Sequence, residues 1–219
     1  MTTEDLIQEL AGRLTPVSRV PSPFKMLQLW VAVTLAVLAA VVGGMGPLPN
    51  LAARVAQPSF ALQEMMAAAT ALLAAYGAFC AGRPDQPGWK LWLPFGVAAV
   101  WAAALGRQCL LLALRGQGAA WSVHLDFMCV PAILASGLPS ALVTVWLLRQ
   151  GEMFRPAWAC LCGALASAAA AEAALRLYHP EGTLATMLVW QMGSVVLFTF
   201  AGGGMAALSL PRLRRLRPI

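Results

Sequence analysis

Charge is scarce in this chain: of 219 residues, 15 are Lys or Arg and 9 are Asp or Glu, together 11%. That scarcity excludes an ordinary water-soluble domain, because 60% hydrophobic residues and a mean hydropathy of +0.72 leave too little polar surface to cover a core. Catalytic motifs are missing too. There is no HExxH, no GxSxG and no phosphate-binding glycine loop, so the sequence points to no enzyme and no cofactor. The five cysteines, Cys80, Cys109, Cys129, Cys160 and Cys162, make no CxxC pair and no paired zinc-ligand spacing, which removes a thioredoxin-like motif and a zinc ribbon.

What is present is a series of long apolar runs. Six of them, at about Leu27 to Met45, Phe60 to Ala81, Leu91 to Leu114, Phe127 to Leu148, Pro156 to Leu177 and Leu184 to Leu210, can each cross roughly 30 Å of hydrocarbon as a helix. The third is interrupted by Arg107 and Gln108, and without it the termini would lie on opposite sides. The first run is longer than the apolar core of a signal peptide and is expected to remain as a span. The sequence therefore predicts an all-α membrane protein with six transmembrane helices, short loops and a short cytoplasmic N-terminal amphipathic helix.

The net charge of +6 reads as topology rather than as nucleic-acid binding. With the N-terminus inside, Arg13, Arg19, Lys25, Arg83, Lys90, Arg149, Arg155, Arg212, Arg214, Arg215 and Arg217 fall on the cytoplasmic side. Only Arg54, Arg107, Arg115 and Arg176 fall outside. This asymmetry predicts both termini in the cytoplasm. Connections such as Gly46-Pro47-Leu48-Pro49-Asn50 and Arg83-Pro84-Asp85-Gln86-Pro87-Gly88 are too short to hold a folded extramembrane domain. The basic end after Pro211 suits an anchor on anionic lipid.

The soluble head is small. Thr2 or Thr3 can cap a helix with Glu4 and Asp5 in its first turn, and Leu6, Leu10 and Leu14 then repeat one turn apart with Ile7 beside them. Pro16, Pro21 and Pro23 end that helix and give a semi-rigid spacer. The apolar strip suits the lipid interface; edged by Glu4, Asp5 and Glu9, it equally suits the groove of a basic partner protein.

Several outer-half residues carry chemistry. Cys109 and Cys129 are placed on the oxidising side, where they can meet; Cys80, Cys160 and Cys162 fall near the cytoplasmic ends of spans two and five. His124, Asp126, Cys129, His179 and Glu181 include ligand types for soft or borderline metals, without a recognised metal motif. Glu64, Arg107 and Glu172 sit inside their spans and must find partners, Glu172 having Arg176 one turn away. Pro94, Pro131 and Pro139 are positions at which a helix can bend. A transporter would need a polar path at mid-membrane, and a thiol oxidoreductase would need cysteines in exchange geometry; neither pattern is evident.

The opening Thr3-Glu4-Asp5-Leu6-Ile7 through Leu14-Thr15-Pro16-Val17, the Cys129-Val130-Pro131-Ala132-Ile133 segment, Arg155-Pro156, the Leu177-Tyr178-His179-Pro180-Glu181 turn followed by Trp190, and the basic end together resemble the negative regulator of sigma F (NrsF) family of membrane anti-sigma factors. The resemblance implies six helices and a cytoplasmic N-terminus that holds an extracytoplasmic-function (ECF) sigma factor at the bacterial inner membrane until a stress signal frees it. Residues 1–25 then become the sigma-factor-binding segment, with Thr3, Glu4, Asp5, Leu6, Ile7, Glu9, Leu10 and Leu14 as contacts. Residues 26–210 become a transmembrane sensor and residues 211–219 a basic tail. The partners implied are the sigma factor and the lipid bilayer, with no direct contact to nucleic acid. Cys129, Cys109, His124, Asp126 and His179 are the sensing candidates. In one respect the chain departs from the family, which generally has a second cysteine after the histidine of the last turn; Pro180 stands there, against a simple two-cysteine switch.

Overall fold

A computed structural model describes residues 2–12, 20–115, 129–151, 153–179 and 187–214. Every regular element among them is helical. In chain order these are α1 (Thr3–Gly12), α2 (Pro23–Met45), the short α3 (Leu51–Val55), α4 (Pro58–Ala81), α5 (Trp89–Leu114), α6 (Cys129–Leu148), α7 (Pro156–Tyr178) and α8 (Gly193–Arg214), the last preceded by a π-helical turn, Met187–Met192. Arg13, Leu14, Arg19, His124, Asp126, Pro180, Glu181, Arg215 and Arg217 lie outside the described residues.

Proline sets several of the helix starts. Pro23, Pro58 and Pro156 occupy first-turn positions, where the missing N–H removes no helical bond. Ser22 adds a cap to α2, its hydroxyl accepting from the Lys25 N–H at 3.3 Å. Gly46, at φ 85°, ends α2 in a backbone conformation that a side chain would strain. Pro94 lies inside α5 and Pro139 inside α6. Pro94 has no N–H to offer the Lys90 carbonyl. That carbonyl faces Gly77 of α4, where an added Cβ would meet it at 3.3 Å.

Among the described residues, Pro23–Met45, Pro58–Ala81, Trp89–Leu111 and Pro156–Tyr178 are long and apolar enough to cross a membrane. Ile133–Leu148 in α6 and Gly193–Gly202 in α8 are shorter apolar stretches at the positions of the fourth and sixth expected spans. The third run does not break at Arg107 and Gln108: α5 continues through both. Two features were not legible, α3 in the first outer connection and the π-helical turn ahead of α8. The helix α8 runs past Pro211 to Arg214.

The bundle is organised around α7. This alanine-rich helix packs against α4, α8, α6 and α2, and every residue from Leu165 to Glu172 is buried. Apolar burial gains little inside a bilayer, so close packing and hydrogen bonds between helices carry the association. Small side chains permit the approach: a Cβ on Gly163 would lie 2.8 Å from Thr144 Cγ2, and one on Gly202 would lie 2.8 Å from Ala164 Cβ. Thr144 also accepts from Trp30 Nε1 at 2.8 Å, so one residue of α6 fastens α2 while its methyl group abuts α7.

Backbone bonds fix which helix ends lie together. Arg155 N–H donates to Ala81 O at 2.9 Å at one end of the bundle, and Leu48 N–H donates to Leu177 O at 3.0 Å at the other. The first is called the Arg83 end below and the second the Arg176 end. The exposed side chains of Leu35, Val100, Leu142, Val196 and Phe200 lie between them, a distribution suited to lipid contact.

Candidate functional site

Two groups of residues answer to the sequence expectations. The first is α1. Its start is a reciprocal cap: the Asp5 N–H donates to Thr2 Oγ1 at 3.3 Å, and the Thr2 N–H donates to Asp5 Oδ2 at 2.8 Å. Thr2 is thus the capping residue of the two candidates. Its backbone N–H, and secondarily its hydroxyl, hold the Asp5 carboxyl below the usual carboxylate value. Leu6, Ile7 and Leu10 are all exposed, and no residue of α1 is buried. Thr3, Glu4 and Glu9 are exposed beside them. The helix therefore offers an apolar strip that its own bundle does not cover. Leu14, the last member of the expected strip, is outside the described residues.

The second group lies at the Arg176 end, between α4, α5 and α7. Arg176 of α7 is buried and pairs with Glu64 of α4, Nε to Oε1 at 3.4 Å. Its guanidinium carbon stands 4.9 Å from the centre of the Phe60 ring, so the cation is held from a second direction. Glu172, also buried, is one turn before Arg176 on α7. The Glu64–Arg176 pair joins two helices and so makes a link between α4 and α7. Next to it Gln63 Nε2 donates to Gln108 Oε1 at 2.6 Å, joining α4 to α5. Neither glutamine had been singled out as a pair, although two long amides inside apolar runs are the signal that finds them.

The remaining candidates separate. Arg107 is exposed on α5, turned away from the Gln63–Gln108 contact. Cys109 is buried on the same helix with a free thiol. Cys129 is the first residue of α6. His179 follows α7, its N–H bonded to Leu175 O at 2.8 Å. His124 and Asp126 are outside the described residues, and among the described ones no three His, Cys, Asp or Glu side chains gather where they could hold a metal ion. Cys80 and Cys162 are both buried near the Arg83 end, with Cys162 Sγ 3.8 Å from Leu91 O.

A third arrangement was not foreseen from sequence. Arg83, just beyond α4, donates through Nη2 to the carbonyls of Val20 and Pro21, where the N-terminal segment enters the bundle; the Val20 contact is 3.3 Å.

Comparison with known protein families gives a match over residues 10–213 to the family described as negative regulator of sigma F. The match takes in the whole helical bundle and begins at Leu10, within α1. No curated protein and no solved structure matches.

Proposed function

The chain belongs to the negative regulator of sigma F family, and from that premise we propose that it is a membrane anti-sigma factor that sequesters an ECF sigma factor through its N-terminal helix. The observation that carries this reading is α1 itself: a capped helix whose Leu6, Ile7 and Leu10 stay exposed on a chain otherwise built for lipid. A strip of three apolar residues at helical spacing fits a groove on a partner, and Glu4, Asp5 and Glu9 suit a partner with the basic surface that DNA-binding proteins carry.

In this reading the bundle crosses the bacterial inner membrane six times, with both termini cytoplasmic and the Arg83 end facing the cytoplasm. The eleven basic residues assigned inside support that orientation. A stress signal of oxidative, metal or envelope origin acts on the opposite side, where Cys129 and Cys109 are the thiol candidates and His124, Asp126 and His179 the imidazole and carboxylate candidates. Release needs only a modest bias, since a tenfold change in partner affinity corresponds to about 1.4 kcal/mol.

The test is affinity capture of the full chain from detergent-solubilised membranes. A sigma factor in the captured fraction supports the proposal; a fraction without one, from cells that contain the protein at normal abundance, contradicts it.

A further inference from the structure

Among the described residues, the N-terminal segment meets the bundle where it enters α2. Val20 and Pro21 lead into α2, and both of their carbonyls accept from Arg83 Nη2. The Val20 side chain lies against Gly151 in the turn between α6 and α7, where an added Cβ would stand 3.1 Å from Val20 Cγ1. The two turns that hold the segment are themselves joined, Arg155 N–H donating to Ala81 O at 2.9 Å. A guanidinium suits this task because it keeps its full charge and its Nη2 alone carries two N–H donors, enough for two neighbouring carbonyls.

We propose that Arg83 is a positioning residue that anchors the exit of the N-terminal segment to α4, so that movement of α4 against α7 loosens the partner-binding helix. The proposal rests on the reading of α1 as that helix. Its structural part stands on the anchor alone. At its other end α4 carries Glu64, paired with Arg176 of α7. From Glu64 to Ala81, two residues before Arg83, α4 rises about 26 Å at about 1.5 Å per residue. One rigid element and the turn that follows it therefore join the Glu64–Arg176 contact to the anchor on Val20 and Pro21.

The anchor is testable without any partner. Trypsin can cut the N-terminal segment after Arg13 and after Arg19, and the second bond leads into Val20, whose carbonyl Arg83 holds. Cleavage of a native chain follows the population of the open form. In the full-length protein in lipid nanodiscs, Arg83→Ala is expected to raise cleavage after Arg19 about tenfold relative to cleavage after Arg13, and Arg83→Lys to raise it less. Gly151→Leu, which removes the seat of Val20 and leaves Arg83 in place, is expected to act in the same direction. In cells the same variants should raise uninduced sigma-dependent reporter output at equal membrane abundance. An unchanged cleavage ratio in both Arg83→Ala and Gly151→Leu, in protein that melts as the unmodified chain does, overturns the anchor. A raised ratio with unchanged reporter output keeps the anchor and overturns its link to partner release. Failure to find any sigma factor leaves the cleavage result standing and removes only the reading of α1.

Discussion

Arg176 and Glu64 form an ion pair between α7 and α4, Nε to Oε1 at 3.4 Å, with the arginine buried and the Phe60 ring beside it. In a bundle that packs mainly through alanine and glycine, this pair, the Gln63–Gln108 bond and the 3.2 Å contact between the Ser136 and Tyr178 hydroxyls are polar fasteners among the described residues of the Arg176 end.

Removing one member of that pair should cost more than removing both. A buried charge left without its partner is destabilising by about 3 kcal/mol or more, whereas an apolar pair of similar size is often tolerated. Arg176→Met is expected to retain the Glu64 charge and lower the unfolding temperature in detergent; Arg176→Met with Glu64→Leu is expected to recover most of the loss. Thermal melts of the two proteins check this. An additive double variant would show that the pair does not couple α4 to α7.

The cap on α1 should titrate. Asp5 is held below its usual value by the Thr2 N–H and hydroxyl, so its carboxylate favours the helix above the ordinary carboxylate range, near about 4. That contribution is lost as pH falls through the lowered value of Asp5. Amide exchange within α1 is expected to quicken over this acidic window, after correction for the intrinsic rate, and to lose the dependence in Asp5→Asn, which cannot ionise, whereas Thr2→Ala, which keeps the backbone N–H, only weakens it. A pH-independent protection of α1 would contradict the cap.

Orientation is checked by reporter fusions after Arg83, Arg115, Arg149 and Glu181. The expected order is inside, outside, inside, outside. Any other alternation removes the six-crossing arrangement.

The sensing proposal turns on Cys129. Cys129→Ser is expected either to keep the partner held under inducing conditions or to release it constitutively. Cys109→Ser then separates the chemistries: the same phenotype supports a disulfide, and normal induction supports a metal or a lone reactive thiol. Normal repression and normal induction of Cys129→Ser, at equal abundance, would remove Cys129 from the sensing site.

Helix positions were legible because their signals are strong and local. Long apolar runs give the elements, although α2 and α4 start earlier than the expected spans, at Pro23 and Pro58 rather than near Leu27 and Phe60, and Thr2 is one of the two caps that the sequence offered for α1. Contacts between helices were not legible in the same way. Arg176 has an acidic neighbour four residues earlier in sequence, and the pattern points only to that local pair; Glu64, with which it also pairs, is more than a hundred residues away and is brought close by the packing of α4 on α7. Arg83 read simply as one positive charge among eleven, because nothing in its surroundings in sequence indicates that it will meet the Val20 and Pro21 carbonyls. The apolar strip of α1 shows the limit from the other side. Its residues were correctly read as a strip, and the structure adds that the bundle leaves Leu6, Ile7 and Leu10 uncovered.

The central claim is that this uncovered strip holds a sigma factor, and the most direct measurement is capture with the strip altered. The full chain and its Leu6→Asp, Leu10→Asp variant are solubilised from membranes at matched abundance, and the sigma factor retained by each is quantified. Burying two carboxylates in an apolar groove should reduce retention at least about tenfold while leaving membrane insertion intact, because the spans are untouched. Equal retention by the two proteins would contradict the account.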